Sequence, residues 1–323
     1  MIPVLVTAVG SELAFAVIKA LRIAPVERQL TVIGCDLYPE VVGTHWCDAF
    51  MQVPPARDEP AYLAALEGLI AARGIRILIP TSDAEIALLA RHKARLLDRD
   101  GCHVLVNEPA EIDRFNDKWL AHLWFLEHNI RSPRTWLADS LDDLARQLRP
   151  EDFPLILKPR AGGGSRTIFQ VHGMDDLRTY LPIVPRPIVQ ALVGSPDEEY
   201  TAGTFRDRRG GIRVIVLKRT LKFGMTNTAE THDDPALAAF CTEAIGRTAL
   251  QGSNNIQLRV GAGGPEIFEI NPRFSGTAGI RAHFGFNDVD MAICDALDLP
   301  VPEPRITPGR VLRYMHELYV TKG

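Results

Sequence analysis

The pattern of predicted elements changes near residue 107, and this change restricts the folds that the chain can adopt. Before that point, short apolar runs such as Ile2–Ala8, Thr31–Cys35 and Ile75–Pro80 alternate with segments of helical periodicity. Continuous apolar runs are typical of parallel strands that are buried on both faces. After it, β-rich segments follow one another, which favours an antiparallel sheet in a separate lobe. We therefore predict an α/β and α+β chain that begins with a βαβ parallel sheet.

Composition limits the function classes. A chain of 323 residues with 46% hydrophobic residues can bury a large core and form two or three lobes. Its formal net charge of −4 argues against a broad nucleic-acid interface. The five cysteines are scattered and include no C-x-x-C pair, so we expect no disulfide framework, no zinc site and a cytoplasmic location. We also expect no membrane helix and no signal peptide, because long apolar runs and a basic leader are missing.

The N-terminal βαβ pattern raises the alternative of a nicotinamide-dependent oxidoreductase. Asp36 follows the second strand, as an acid does in dinucleotide-binding folds. The first turn has a single glycine, Gly10, and no G-x-G-x-x-G fingerprint, which weakens this alternative. After the third apolar strand, Ser82 and Asp83 are natural caps for a helix predicted at Ala84–His92. Ligands of open α/β sheets also bind at such strand ends, so a substrate contact remains open for both residues.

A second group of polar residues belongs to the predicted strand Ile267–Ile270 and the loop after it. Side chains alternate along a strand, so Glu269 and Asn271 lie on the same face. Carboxylate and amide oxygens are ligands that Mg²⁺ accepts while it also holds phosphate oxygens. Arg273 could bind a phosphate or carboxylate bidentately. An edge strand with solvated polar residues would give the same pattern, so both interpretations stay open.

A glycine-rich segment at residues 161–167 follows the predicted strand Phe153–Lys158. Three adjacent glycines let the main chain approach a ligand closely and turn its N–H groups toward phosphate. The segment is not a Walker A loop, because no Gly-Lys-Ser/Thr follows at the required spacing. A flexible hairpin tip would look the same, but Lys158 just before the loop favours phosphate binding.

These segments together resemble the ATP-grasp superfamily, in particular the branch of carbamoyl-phosphate synthetase and related carboxylate–amine ligases. The likeness rests mainly on Asn-x-Gln at 255–257 followed by Glu-x-Asn-Pro-Arg at 269–273, and it extends from the first strand to about residue 300. It implies a Rossmann-like lobe at residues 1–107, a small glycine-loop lobe at 108–188 and a C-terminal lobe with the metal-binding strands at 189–323.

The resemblance also assigns roles to individual residues. The implied metal ligands are Gln257, Glu269 and Asn271. The implied catalytic residues are Arg273, Asn255 and Lys158. The implied nucleotide contacts are Lys118, Lys158, Gly162, Gly163, Gly164, Ser165, Gln190, Leu192, Val193 and Glu199. Of these, Gln190 stands where the family commonly has a glutamate, and Glu198 is an alternative to Glu199 for ribose.

Substrate contacts are less well defined by the sequence than nucleotide contacts. Besides Ser82 and Asp83, the candidate is Arg281, which follows a Ser-Gly-Thr-Ala-Gly loop. It either holds a substrate carboxylate or is a surface charge at the end of a helix. Two further features, Arg166 in the glycine loop and the basic cluster of Lys218, Arg219 and Lys222, have no assigned role.

The implied activity is an ADP-forming carboxylate–amine or carboxylate–thiol ligation through an acyl phosphate, with ATP and Mg²⁺, or Mn²⁺ in its place, as cofactors. The expected partners are small-molecule carboxylates and amines, without nucleic acid or membrane, and a homodimer is kept open. Two alternatives remain: the nicotinamide-dependent oxidoreductase and a non-catalytic ATP-binding regulatory module. The first predicts binding of NAD(P)H, and the second predicts ATP binding without substrate-dependent ADP release.

Overall fold

A computed structural model describes residues 1–25, 29–162 and 167–320 of the chain. Its N-terminal part is a parallel sheet in the order β3-β2-β1-β4-β5. The strands are β1 Ile2–Val6, β2 Leu30–Asp36, β3 Ala49–Gln52, β4 Ile77–Ile79 and β5 His103–Val104. The helices are α1 Glu12–Ile23, α2 Glu59–Arg73 and α3 Asp83–Asp100. Because the strand order reverses between β1 and β4, their carboxyl ends form the crevice where such sheets bind ligands.

Both faces of this parallel sheet are buried, as the continuous apolar runs predict. Leu5, Ile33 and Leu78 pack under α2 and α3 in one core. The intervening residues Val4 and Val6 face α1 in another. The helix predicted at Ala84–His92 is longer, because Ser82 caps its start and a left-handed Gly101 ends it only after Asp100.

The middle of the chain forms a four-stranded antiparallel sheet in the order β6-β9-β7-β8. Its strands are β6 Thr135–Leu137, β7 Leu155–Pro159, β8 Phe169–Val171 and β9 Pro187–Ala191. The helices of this region are α4 Pro109–Asn116, α5 Lys118–Glu127, α6 Leu141–Gln147 and α7 Met174–Tyr180. The sheet has its own core with α6 and α7. In contrast, α4 and α5 contribute side chains to the core of the C-terminal sheet.

The C-terminal part is a six-stranded antiparallel sheet in the order β14-β13-β10-β11-β12-β15. Its strands are β10 Glu199–Arg206, β11 Ile212–Lys222, β12 Met225–Thr231, β13 Gly252–Gly261, β14 Gly264–Asn271 and β15 Arg310–Leu312. The helices are α8 Pro235–Arg247, α9 Ala278–His283 and α10 Asp288–Ala296. The apolar run at residues 311–320 suggests a longer final strand, but pairing with β12 stops at Leu312. The sequence pattern also missed β3, β12 and α9.

One core joins the first and last sheets. Residues of β1 and β4 pack with α1, α9 and α10 against Phe205 and Leu217 of the six-stranded sheet. Asn107 adds a polar link, since its amide donates to Asn254 Oδ1 and to the Pro272 carbonyl, both at 2.9 Å. The mixed α/β and α+β fold class predicted from the sequence is confirmed. Within the described ranges, no helix combines the length and the apolar character needed to cross a bilayer.

Candidate active site

The candidate site lies on one face of the six-stranded sheet. Thr201 on β10 is opposite Gln257 on β13, which is opposite Glu269 on β14. In the same way, Asn255 is opposite Asn271. The other face of these strands carries apolar residues of the core with α4, α5 and α8. The alternation along each strand therefore gathers the predicted metal ligands Gln257, Glu269 and Asn271 on one polar face.

Glu269 is the negative centre of this face. Its Oε1 lies 2.9 Å from Lys118 Nζ at the start of α5. Burial by itself raises the pKa of Glu269, but the charges of Lys118, Lys158 and Arg273 outweigh it and lower the pKa to about 2. One carboxylate thus lies among three basic side chains, an arrangement that suits a polyanionic ligand.

Lys158 at the end of β7 is 6% exposed and donates to Gln190 Oε1 at 2.7 Å. Gln190 in turn donates to Thr135 Oγ1 at 2.9 Å, which fixes the orientation of its amide. Burial, followed by repulsion from Lys118, lowers the pKa of Lys158 to about 7. Gln190 therefore serves here as a lysine partner, and its contact with a nucleotide stays a prediction.

The depressed pKa of Lys158 predicts proton uptake when a polyanion binds. Near pH 8 most Lys158 side chains in the free protein are neutral, because the pH is above their pKa of about 7. An added phosphate favours the ammonium form, so a proton enters with the ligand and affinity falls as the pH rises above 7. Calorimetric titration with ATP in buffers of different ionisation enthalpy measures this uptake. The same titration of Lys158→Met should show the uptake reduced, and an unchanged value would contradict the assignment.

Glu199 is fully engaged by two arginines. Its Oε1 accepts from Arg219 Nε at 3.2 Å and Nη2 at 2.9 Å. Its Oε2 accepts from Arg259 Nε at 3.1 Å and Nη2 at 2.8 Å. Four hydrogen bonds use the acceptor capacity of a carboxylate, so this geometry leaves no lone pair for a ribose hydroxyl. Glu198, the alternative raised from the sequence, is more exposed and pairs with Lys218 and Tyr200.

The start of α5 is held against the end of β7. Asp117 caps the helix by accepting from Trp119 N–H at 2.9 Å, and it also pairs with Arg160 at 2.7 Å. Lys118 Nζ donates to the Gly162 carbonyl at 3.1 Å, so it stands at the entrance of the glycine-rich segment. The remaining predicted loop residues lie outside the residues that the structure describes: Gly163, Gly164, Ser165 and Arg166.

Two of the implied nucleotide contacts, Leu192 and Val193, directly follow β9. Leu192 and Val193 are both partly exposed. In the part of the chain that the structure describes, the main-chain groups of these two residues make no hydrogen bond. Main-chain N–H and C=O groups that have no hydrogen-bond partner beside a cationic site are suited to hydrogen bonding with the polar edge of a nucleotide base.

Arg273 contacts another predicted site residue, from the opposite end of the chain. Its Nε lies 2.8 Å from Asp83 Oδ1, at the first turn of α3. Ser82 caps that helix and donates to Glu85 at 2.8 Å. Burial raises the pKa of Glu85, although it accepts hydrogen bonds from Thr7, Ser82 and Tyr62. The fold thus brings the crevice of the parallel sheet to the strands that carry the predicted metal ligands, while Ser82 itself is used as a cap.

The structure requires a correction for Arg281. It is 0% exposed and forms an ion pair with Asp288, which is also 0% exposed. Its Nη1 donates to Ser275, Thr277 and Asn255 at 2.8, 2.9 and 3.2 Å. A guanidinium enclosed in this way is not accessible to a substrate. Its hydrogen bonds instead connect Asn255 on β13 to Ser275 and Thr277 in the loop before α9. Asn255, predicted to be catalytic, is likewise buried and bonded to this arginine.

Sequence reasoning missed the role of Arg219 and Arg259. The basic cluster at Lys218 to Lys222 was interpretable as a solvated strand end. The sequence feature that could have revealed this role is the alternation of side chains along β11. Arg219 lies on the same face of the strand as the buried residues Ile215 and Leu217. It therefore faces inward and donates to Gln257 Oε1 at 3.0 Å as well as to Glu199.

Comparison with known proteins supports the resemblance. A family model described as ATP-grasp in the biosynthetic pathway with Ter operon matches residues 192–317. N5-carboxyaminoimidazole synthetase from Staphylococcus aureus complexed with ADP gives a TM-score of 0.77 at 13% identity, over 97% of this chain and 82% of that chain. The chain has an ATP-grasp fold. The predicted ATP-grasp fold is thereby confirmed, and the family model agrees with the predicted superfamily over residues 192–317, whereas the carbamoyl-phosphate synthetase-like branch stays a prediction.

Two further structures share this ATP-grasp fold. The biotin carboxylase domain of Hydrogenobacter thermophilus 2-oxoglutarate carboxylase, with MgADP and bicarbonate, gives a TM-score of 0.72 at 16% identity, covering 95% of this chain and 73% of that one. L-amino acid ligase from Bacillus licheniformis gives 0.70 at 15% identity, covering 92% and 74%. Comparison with curated protein sequences gives no match.

Proposed function

We propose that this chain is an ATP-dependent ligase that joins a carboxylate to an amine or a thiol and releases ADP and phosphate. The observation that carries the proposal is the single carboxylate of Glu269 among Lys118, Lys158 and Arg273, beside amide ligands on the same face. This arrangement offers cations for phosphates and oxygen ligands for a hard metal ion. The ADP and MgADP complexes of proteins with the same fold support the choice of nucleotide and metal.

The residues present fit a magnesium ion. Gln257, Glu269 and Asn271 offer only oxygen donors, and Mg²⁺ prefers one or two carboxylates together with phosphate oxygens. The side chain of Asn271 makes no hydrogen bond to the residues that the structure describes, so its oxygen is available. When bound, Mg²⁺ would neutralise charge on the phosphate oxygens. No side-chain cluster of three His, Cys, Asp or Glu residues occurs in the described ranges, which agrees with a site that relies on the nucleotide for further ligands.

The proposed reaction has two steps. A carboxylate oxygen of the first substrate attacks the γ-phosphorus of ATP, the bond from that phosphorus to the β,γ-bridging oxygen breaks, and ADP leaves. The nitrogen or sulfur of the second substrate then attacks the acyl carbon and loses a proton, and inorganic phosphate leaves. Lys118, Lys158 and Arg273 stabilise charge on the transferring group in the first step.

Each cation has a defined support in the structure. Asp117 fixes the helix start that carries Lys118, and Gln190 orients Lys158. Asp83 holds Arg273 until a phosphate or carboxylate takes its place. Preorganised donors of this kind need little reorganisation during the reaction, which is the main source of their effect.

An ADP-release assay over a panel of amino acids, other carboxylates, amines and thiols tests the proposal. We expect release that depends on both a carboxylate and a second substrate. ATP binding without substrate-dependent release would support the regulatory-module alternative, and binding of NAD(P)H would support the oxidoreductase.

Small-molecule partners and a cytoplasmic location are part of the proposal. The latter is supported by the five scattered cysteines, which include no C-x-x-C pair.

Arg219 should affect nucleotide binding more than the chemical step. It donates to both Glu199 and Gln257, so Arg219→Met leaves the carboxylate of Glu199 with one arginine partner and frees a proposed metal ligand at the same time. We expect the KM for MgATP to rise by roughly 10- to 100-fold, the scale of one or two charged hydrogen bonds. Steady-state kinetics at varied MgATP measures it. Lys222→Met, at the exposed end of the same strand, is the control, and equal effects of both variants would refute the role of Arg219.

A further inference from the structure

Residues 313–320, called the arm here, leave the body of the protein. The root of the arm is fixed by β15 and by Arg313, which donates from its N–H to the Asn227 carbonyl at 2.8 Å and from Nη2 to the Gly276 carbonyl at 2.9 Å. Beyond Arg313, the main-chain groups of the described arm residues make no hydrogen bond. The arm is therefore attached to its own subunit only at its start.

The arm is strongly apolar and exposed. Tyr314, Met315 and Tyr319 are 78%, 87% and 84% exposed, and Leu318 and Val320 are about half exposed. Single apolar residues on a surface are normal, but five of them within seven consecutive residues form a patch of the kind that marks an interaction site. An acidic residue, Glu317, lies among them.

A groove of about 590 Å³ lies beside the root of the arm. It runs between α1 and α9, and its walls are mainly apolar, with a basic rim. The apolar lining includes Ile18, Ile23, Trp46, Ile280 and Phe284. The basic lining is Lys19, Arg22 and His283. The arm of the same chain does not fill this groove, as the exposure of its side chains shows.

We propose that the groove of one subunit receives the arm of a second copy of this chain, in a two-fold symmetric exchange. Two observations select a second copy. First, apolar arm and apolar groove match, and Glu317 complements the basic rim. Second, Val311 of β15 lines the groove, so groove and arm root form one continuous patch, as a self-complementary two-fold interface requires. Residues 314–320 extend up to roughly 23 Å, which is enough to cross to a neighbouring subunit.

The oligomeric state of the full chain tests this proposal. By sedimentation velocity over a concentration series, we expect a dimer for the wild-type chain. Tyr319→Ser in the arm and Ile23→Asp in the groove should each raise the dimer dissociation constant by at least about tenfold, as loss of an interface anchor does. Both side chains are exposed, at 84% and 46%, so neither substitution should prevent folding, and thermal unfolding of both variants checks this.

A charge exchange and a cross-link then identify the contact. Glu317→Lys should weaken the dimer, and Lys19→Glu in the same chain should restore it. Chains with Leu318→Cys mixed with chains carrying Ile23→Cys should form a disulfide between the two variants. A monomeric wild-type chain would overturn the proposal. A dimer that Ile23→Asp and Tyr319→Ser leave unchanged would also overturn it, because the interface would then lie elsewhere.

Discussion

Replacement of Glu269 by glutamine is expected to lower substrate-dependent ADP release by at least about 100-fold, the scale on which one preorganised electrostatic group acts. The carboxylate is the strongest of the three predicted metal ligands, and it also balances Lys118 and Lys158. Glutamine keeps the shape and one oxygen but loses the charge. The substitution therefore weakens metal binding and leaves two lysines without their counter-ion.

The matched control is Glu266→Gln, three residues earlier on β14. An irregularity in the pairing of β13 with β14 lies between Glu266 and Glu269. The substitution removes the same charge from the same strand outside the group of three metal ligands. ADP release should remain close to that of the wild-type chain. Loss of activity in both variants would point to strand damage, and persistent turnover in Glu269→Gln would refute the metal assignment. A magnesium titration of the turnover rate separates weakened metal binding from lost chemistry.

Asp288→Asn is expected to lower the free energy of unfolding by about 3–5 kcal/mol, because it leaves the guanidinium of Arg281 buried without a counter-charge. Both side chains are fully buried, and the side chain of Arg281 lies so close to Gly203 that a Cβ at that position would overlap it. Because both side chains are fully buried, water cannot solvate the charge of Arg281 once the carboxylate of Asp288 is lost. Equilibrium denaturation in urea, followed by circular dichroism, measures the change through the midpoint of unfolding.

Two comparisons define the meaning of that result. The double variant Arg281→Met with Asp288→Leu removes both charges and should be less destabilised than Asp288→Asn alone. Arg91→Met breaks an exposed ion pair with Glu59 and should change the free energy of unfolding by less than about 1 kcal/mol. A small effect of Asp288→Asn would contradict the structural role given to Arg281.

Local patterns predicted the polar face of the six-stranded sheet, because side-chain alternation needs no knowledge of the rest of the fold. Glu269 and Asn271 follow from period two along one strand, and their pairing with Gln257 and Asn255 needs only one hairpin. Helix caps such as Ser82 were also predictable from local chemistry. For the same reason, the fold class could be derived from the change in strand and helix pattern.

Long-range pairings could not be predicted in this way. The pair of Arg273 and Asp83 joins residues 190 positions apart, and nothing near either residue indicates the other. Arg281 has a polar, glycine-rich local sequence that suits an exposed loop, and only the packing of α9 under β10 and β13 buries it. Similarly, the double arginine contact of Glu199 depends on strands β11 and β13 flanking β10.

Asn107 has a consequence for how a ligand could enter. Its bonds to Asn254, Pro272 and Gln251 join the parallel sheet to the strands of the predicted metal site, within a shared apolar core. The four-stranded sheet has no hydrogen-bonded strand in common with either neighbour and has its own core. Lys158 belongs to this small sheet and Glu269 to the six-stranded sheet. A nucleotide that entered between the two residues would therefore connect the small sheet to the pair of sheets that Asn107 already joins.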